Sequence, residues 1–145
     1  MQLLDIAFRP KSRDPMQTIV ETMISKVAGV EDDFRGKPGK RQVTVLSVEQ
    51  WQLACNEVGT TLPWTVRRAN SLVDGISFDS AMVGQQIKIG QLILLITRET
   101  DPCPRMDAQH QGLTLALTPE WRGGVCCRVL ADGRVKIGDE VNIQK

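Results

Sequence analysis

The chain contains a single histidine, His110, and its four cysteines form no C-x-x-C pair. Structural zinc sites need paired ligands at short spacing, so a zinc centre is not expected. Long apolar runs are also missing: no stretch approaches the roughly 20 residues that a membrane-spanning helix requires, and no membrane association is expected. The opening, MQLLDIAFRPKSRDP, has no cationic start followed by an apolar segment and does not resemble a secretory signal. The expected compartment is the cytoplasm, where all four cysteines would be reduced. A large excess of charge is absent as well. The formal net charge is +1, which excludes the uniform field of a protein that grips nucleic acid, and no nucleic-acid partner is expected.

What is present suits an ordinary globular chain. A length of 145 residues is that of one domain, spanning 1–145, able to bury a core without disulfides or metal. LLDIAF reads as a first strand, and residues 16–27 as a short helix or partly ordered crossover. QVTVLS is a β-branched strand ending at Ser47, which caps the helix VEQWQLACNEVG; Gln50 is placed to complete a capping box and Gly59 to stop the helix. Residues 71–73 read as a short extended piece. QQIKIGQLILLITR is a long β pattern with Gly90 inside it, a tight hairpin or a bent strand. GGVCCRVL-ADGR-VKIGDEVNI carries the strongest local hairpin signal, two strands about a D-G turn. Many short strands, one clear helix and no β-α-β alternation predict a mainly β (α+β) fold: a curved sheet or small barrel, closed or partly open, with one or two peripheral helices.

The segment RETDPCPRMD, residues 98–107, holds the most unusual cysteine. Pro102 and Pro104 lack backbone donors and restrict the residues before them, so Cys103 belongs to a stiff loop. Arg98 and Arg105 nearby would favour the thiolate, the form that attacks sulfur or binds a soft metal; Asp101 and Asp107 would oppose it. Cys55, in the helix, and Cys126 and Cys127, adjacent in a strand and so facing opposite ways, read as packing residues. FRGKPGKR, residues 34–41, is a basic loop. Its cations either face solvent or bind an anion, with the glycines freeing N–H groups to converge on phosphate. Arg67 and Arg68 form a second basic element; on a strand, only one of them would face a given pocket. His110 is near enough to Cys103 in sequence to allow a Cys–His thiol hydrolase. A non-catalytic surface that docks an anion or a protein is the other alternative.

Taken in order, RGKPGKRQVTVLS, LPWTVRRANSLVDGI, VGQQIKIGQLILLITRETDPCPRMD and RGGVCCRVLADGRVKIGDEV closely resemble the MOSC domain, the module found at the C-terminus of eukaryotic molybdenum cofactor sulfurases. The resemblance runs from about Gly29 to Ile143. It implies a barrel-like fold of the MOSC or pyruvate-kinase-barrel type. It also implies one characteristic cysteine, which carries sulfur as a persulfide or ligates molybdenum of the pterin cofactor, and Cys103 falls on it. Arg41 matches the end of the basic loop, Arg67, Arg68 and Asn70 the R-R-x-N element, and Arg128 and Asp139 the closing segment. Under this resemblance Lys40, Arg41, Arg67, Arg68, Asn70, Arg105 and Arg128 would surround an anionic ligand such as a pterin phosphate. Sulfurtransferase or molybdenum-cofactor-dependent activity, with a cysteine desulfurase or a molybdoenzyme as partner, is the implied role. No aminotransferase-like segment accompanies these motifs, so pyridoxal phosphate chemistry is not expected in this chain; nor is the activity of the molybdenum-dependent reductases, which the resemblance ties to an additional N-terminal β-domain.

Overall fold

A computed structural model describes all residues, 1–145. Strands β1 (Leu3–Phe8), β2 (Gln17–Ile19), β3 (Glu21–Ser25), β4 (Gly29–Val30) and β5 (Val43–Ser47) precede helix α1 (Val48–Glu57). A 3-10 turn at Trp64–Arg67 leads into β6 (Ser71–Val73), followed by β7 (Gln86–Ile89) and β8 (Leu92–Glu99). Two short helices, α2 (Met106–Gln109) and α3 (Leu113–Leu117), precede β9 (Val125–Ala131), β10 (Gly133–Lys136) and β11 (Val141–Gln144). Eight strands form one mixed sheet in the order β11-β7-β8-β9-β5-β6-β1-β2, and β10-β3-β4 form a second. The large sheet does not close as a continuous ladder. Its two ends are stitched where Leu3 N donates to Asp139 O, Gly138 N to Leu3 O, and Val141 N to Met1 O.

The period-2 alternation of β5 separates two cores. Val43 and Val45 point into a cluster with Leu3, Ile6, Ile87, Leu94 and Val129 in the hollow of the curved sheet. Leu46 points the other way, into a cluster with Trp51, Ala54, Leu113 and Leu117 under the helices. Cys126 and Cys127 also face opposite ways: Cys127 joins the sheet core, whereas Cys126 Sγ lies 3.3 Å from Thr100 Oγ1. Burial of Cys127 pushes its thiol well above the ordinary range. No helix is long and apolar enough to cross a membrane.

Four local expectations are corrected. Residues 16–27 form β2 and β3 rather than a helix, because Thr22 and Ile24 alternate inward against β10. β5 and β6 are parallel neighbours joined through α1, so one β-α-β unit is present, and the helices number three. Ser47 caps α1 by accepting from Gln50 N at 3.3 Å, but the Gln50 amide does not return to it. Instead it donates to Phe78 O at 3.0 Å and Glu120 O at 2.8 Å. The D-G turn does not close a hairpin: β9 pairs with β8 and β5, while β10 swings away to pair with β3.

Gly133 explains that departure. A Cβ there would sit 2.3 Å from Leu92 N and 2.8 Å from Leu92 Cβ, so only glycine lets β10 cross the β7–β8 hairpin at this distance. Gly133→Ala is expected to cost about 3 kcal/mol through overpacking against backbone, read as a lowered midpoint in urea unfolding.

Candidate functional site

The prolines around Cys103 exclude regular structure, and the loop they stiffen is anchored at its thiol-bearing residue. Cys103 O accepts from Met106 N at 3.0 Å and from Thr114 Oγ1 at 2.8 Å, tying the loop to α2 and α3. Cys103 is exposed, whereas Cys55, Cys126 and Cys127 are buried. The loop forms one wall of a cleft of about 800 Å³ that opens over Thr44, Ala69 and Asn70 on the helical side of the sheet. Asn70 holds that floor together: its Oδ1 accepts from Thr44 N at 3.0 Å and its Nδ2 donates to Ala7 O at 3.2 Å, joining β1, β5 and β6.

Seven arginines and two aspartates line the cleft. Arg67 is the deepest of them, 7% exposed. Its guanidinium has no carboxylate partner; Nε donates to Gly123 O at 3.2 Å and Nη2 to Thr100 O at 2.8 Å. A longer bond from Nη2 reaches Asp101 O at 3.4 Å. Nη1 has no hydrogen-bond partner and is not sealed from solvent. Burial lowers the Arg67 pKa, the charge of Arg41 lowers it further, and negative charge at Cys103, Cys126 and Asp101 opposes the shift. A buried cation held only by carbonyl dipoles leaves its charge available to whatever enters beside Cys103.

Arg67 and Arg68 both face the cleft, against the strand alternation expected for neighbours. The 3-10 turn ends at Arg67, and Arg68 adopts the left-handed conformation at φ 65°, which turns its side chain back to the same side. Arg13, also in the cleft, has φ 72°. Each such conformation costs a side-chain-bearing residue about 1 kcal/mol or more, and such strain clusters at sites with a task. Arg9 lies over the Phe34 ring at 6.0 Å. Its pKa is lowered by burial and by the like charges of Arg68, Arg35 and Arg105, with Asp33 opposing. The two ion pairs of the chain, Arg122–Glu57 at 2.7 Å and Arg134–Glu21 at 3.5 Å, lie outside the cleft. The cleft arginines thus form no ion pairs and outnumber its two aspartates.

Of the residues singled out from the sequence, Cys103, Arg41, Arg67, Arg68, Asn70 and Arg105 share this cleft. Lys40 does not line it; its carbonyl accepts from Thr97 Oγ1 at 2.5 Å. Arg128 and Arg98 are exposed on β9 and β8, away from the cleft. The Asp107 carboxylate is turned to α3, where a bond from the Thr114 backbone N–H at 2.9 Å holds it below its usual range. His110 is outside the cleft, its Nδ1 3.0 Å from Gln111 O. Gly36 serves packing rather than anion capture: a Cβ there would lie 1.6 Å from Ala28 O. Arg9 and Arg13 were not expected. Their signal was the cationic, proline-containing RPKSR following the first strand.

Fold and cleft together define a β-rich domain with one accessible thiol on a stiff loop facing a set of unpaired arginines. The chain belongs to the MOSC domain family, whose model matches residues 17–142. Its fold is similar to that of YUAD protein from Bacillus subtilis, with a TM-score of 0.84 at 18% identity over 99% of this chain and 95% of that one. YiiM from Geobacillus stearothermophilus is similar at a TM-score of 0.79 and 16% identity, covering 99% of this chain and 75% of that one. YiiM from Escherichia coli gives 0.73 and 15%, covering 100% and 70%. No curated protein matches the chain in sequence.

Proposed function

We propose that the cleft receives a phosphate-bearing anionic ligand of the molybdenum-cofactor kind and that Cys103 serves it as a sulfur carrier. The observation that carries this reading is the exposed thiol beside Arg41 and Arg67, in a cleft where seven arginines face two aspartates and none of the arginines forms an ion pair. Arginine is suited to phosphate through its planar fork of donors.

The donor set fits such a cofactor. No group of three or more His, Cys, Asp or Glu side chains is present to hold a metal ion, so a metal here would have to arrive with its remaining ligands, as molybdenum does on a pterin dithiolene. When it carries no sulfur, Cys103 would be the protein's ligand to it, and the cleft arginines would hold the phosphate; the cofactor, when bound, would supply a metal centre able to take up sulfur or oxygen.

Loading of Cys103 needs only a persulfide donor such as a cysteine desulfurase. The Cys103 thiolate attacks the terminal sulfur of the donor persulfide, the donor S–S bond breaks, and the donor cysteine leaves as thiolate. One sulfur atom changes hands and no oxidant is consumed. The cationic cleft favours the anionic persulfide that results.

Incubation with a cysteine desulfurase and free cysteine is expected to add one sulfur to the protein by intact mass, and none to Cys103→Ser. Failure of the folded wild-type chain to gain sulfur contradicts the carrier role.

A further inference from the structure

The cleft holds more cations than one phosphate can engage, and they fall into two groups. Arg41 and Arg67 lie with Cys103, and two of the three Arg67 nitrogens are already bonded to carbonyls. Arg9 and Arg35 are brought side by side by one carboxylate: Asp33 accepts from Arg9 N at 3.0 Å and from Arg35 N at 3.2 Å. Those bonds occupy the Asp33 oxygens with backbone N–H groups and leave both guanidinium groups free. Arg68 and Arg105 add to the charge felt at Arg9. A volume of about 800 Å³ lies near the upper end of the roughly 300–1,000 Å³ typical of small-molecule sites, ample for a nucleotide-sized ligand.

We infer that the cleft contains two anion subsites, an inner one at Arg41 and Arg67 beside Cys103 and an outer one at Arg9, Arg35 and Arg68, and that its ligand carries two linked phosphates, as a diphosphate ester does. This rests on the reading of the cleft as an anion site. A single phosphate ester would leave the outer cations facing one another with no counter-charge but Asp33. A diphosphate places one phosphoryl group in each subsite, so the two groups contribute together, the second binding event having become intramolecular.

Calorimetric titration with inorganic phosphate and inorganic pyrophosphate tests this. The wild-type chain is expected to bind pyrophosphate at least about tenfold more tightly than phosphate, a difference of one decade in Kd. Arg9→Gln with Arg35→Gln is expected to remove that advantage. Removing the same charge outside the cleft, by Lys88→Gln with Lys136→Gln, is expected to keep it. Because Arg9 is half-buried, Arg35→Gln alone, at an exposed residue, repeats the test without disturbing packing and is expected to reduce the advantage. If phosphate binds and pyrophosphate binds no better, the two-subsite inference falls and the single-anion reading stands. An advantage that survives in both outer variants also overturns it. If neither anion binds the folded chain, the anion reading itself falls.

Discussion

Arg41→Glu is expected to weaken phosphate binding by about a hundredfold, whereas Lys40→Glu, one residue away, changes it by less than about threefold. The contrast follows from placement. Arg41 lines the cleft beside Arg67, while Lys40 does not line it and its backbone carbonyl is bonded to Thr97. Charge-assisted hydrogen bonds are worth about 1.5–3 kcal/mol each, and reversing the charge adds repulsion to their loss. An exposed charge outside the cleft acts only through screened solvent, and raising the salt from low to physiological should erase most of the Lys40 effect. Titration calorimetry at two ionic strengths reads both.

Arg67→Ala is expected to lower stability by about 3 kcal/mol, since it orphans the carbonyls of Gly123 and Thr100 in a buried setting. The effect should extend beyond stability. Thr100 and Asp101 begin the loop that carries Cys103, and Gly123 follows the turn that Gln50 holds through Glu120. One guanidinium therefore ties the thiol loop to the segment entering β9. Arg67→Lys keeps the charge but offers no planar fork, so it should retain part of the anion affinity while losing most of the positioning. Urea unfolding together with phosphate titration separates the two losses.

Some of this is legible in the amino-acid sequence itself. The loop position of Cys103 follows from Pro102 and Pro104, which no sheet or helix interior tolerates. The strand before Ser47 and the helix after it follow from β-branched residues meeting a cap. Arg41, Arg67 and Arg68 stood out as clustered cations, although the strand reading of the R-R pair hid the left-handed turn that aims both into one cleft. Arg9 and Arg13 were not legible, because a basic loop after β1 reads as solvated surface. Only the antiparallel pairing of β1 with β6 brings that loop beside Arg68. The D-G signal failed for a similar reason. Turn residues report local geometry, whereas the course of β10 is decided by the close passage of Gly133 over Leu92 and by its register with Thr22 and Ile24. β3 itself alternates over only five residues, too few to outweigh the mixed pattern around it.

The central claim is that an accessible sulfur lies in the field of seven arginines that outnumber the cleft's two aspartates and form no ion pairs. Alkylation of the native chain with iodoacetate and with iodoacetamide, which differ in charge but attack the same thiol, tests it most directly. Modification is expected at Cys103 alone, with Cys55, Cys126 and Cys127 reacting only after unfolding. Relative to a free small thiol, the anionic reagent should gain about tenfold or more over the neutral one at low salt, and the gain should fade as salt rises. An iodoacetate-to-iodoacetamide ratio equal to that of the free thiol, or a Cys103 that reacts only in the unfolded chain, would contradict the account.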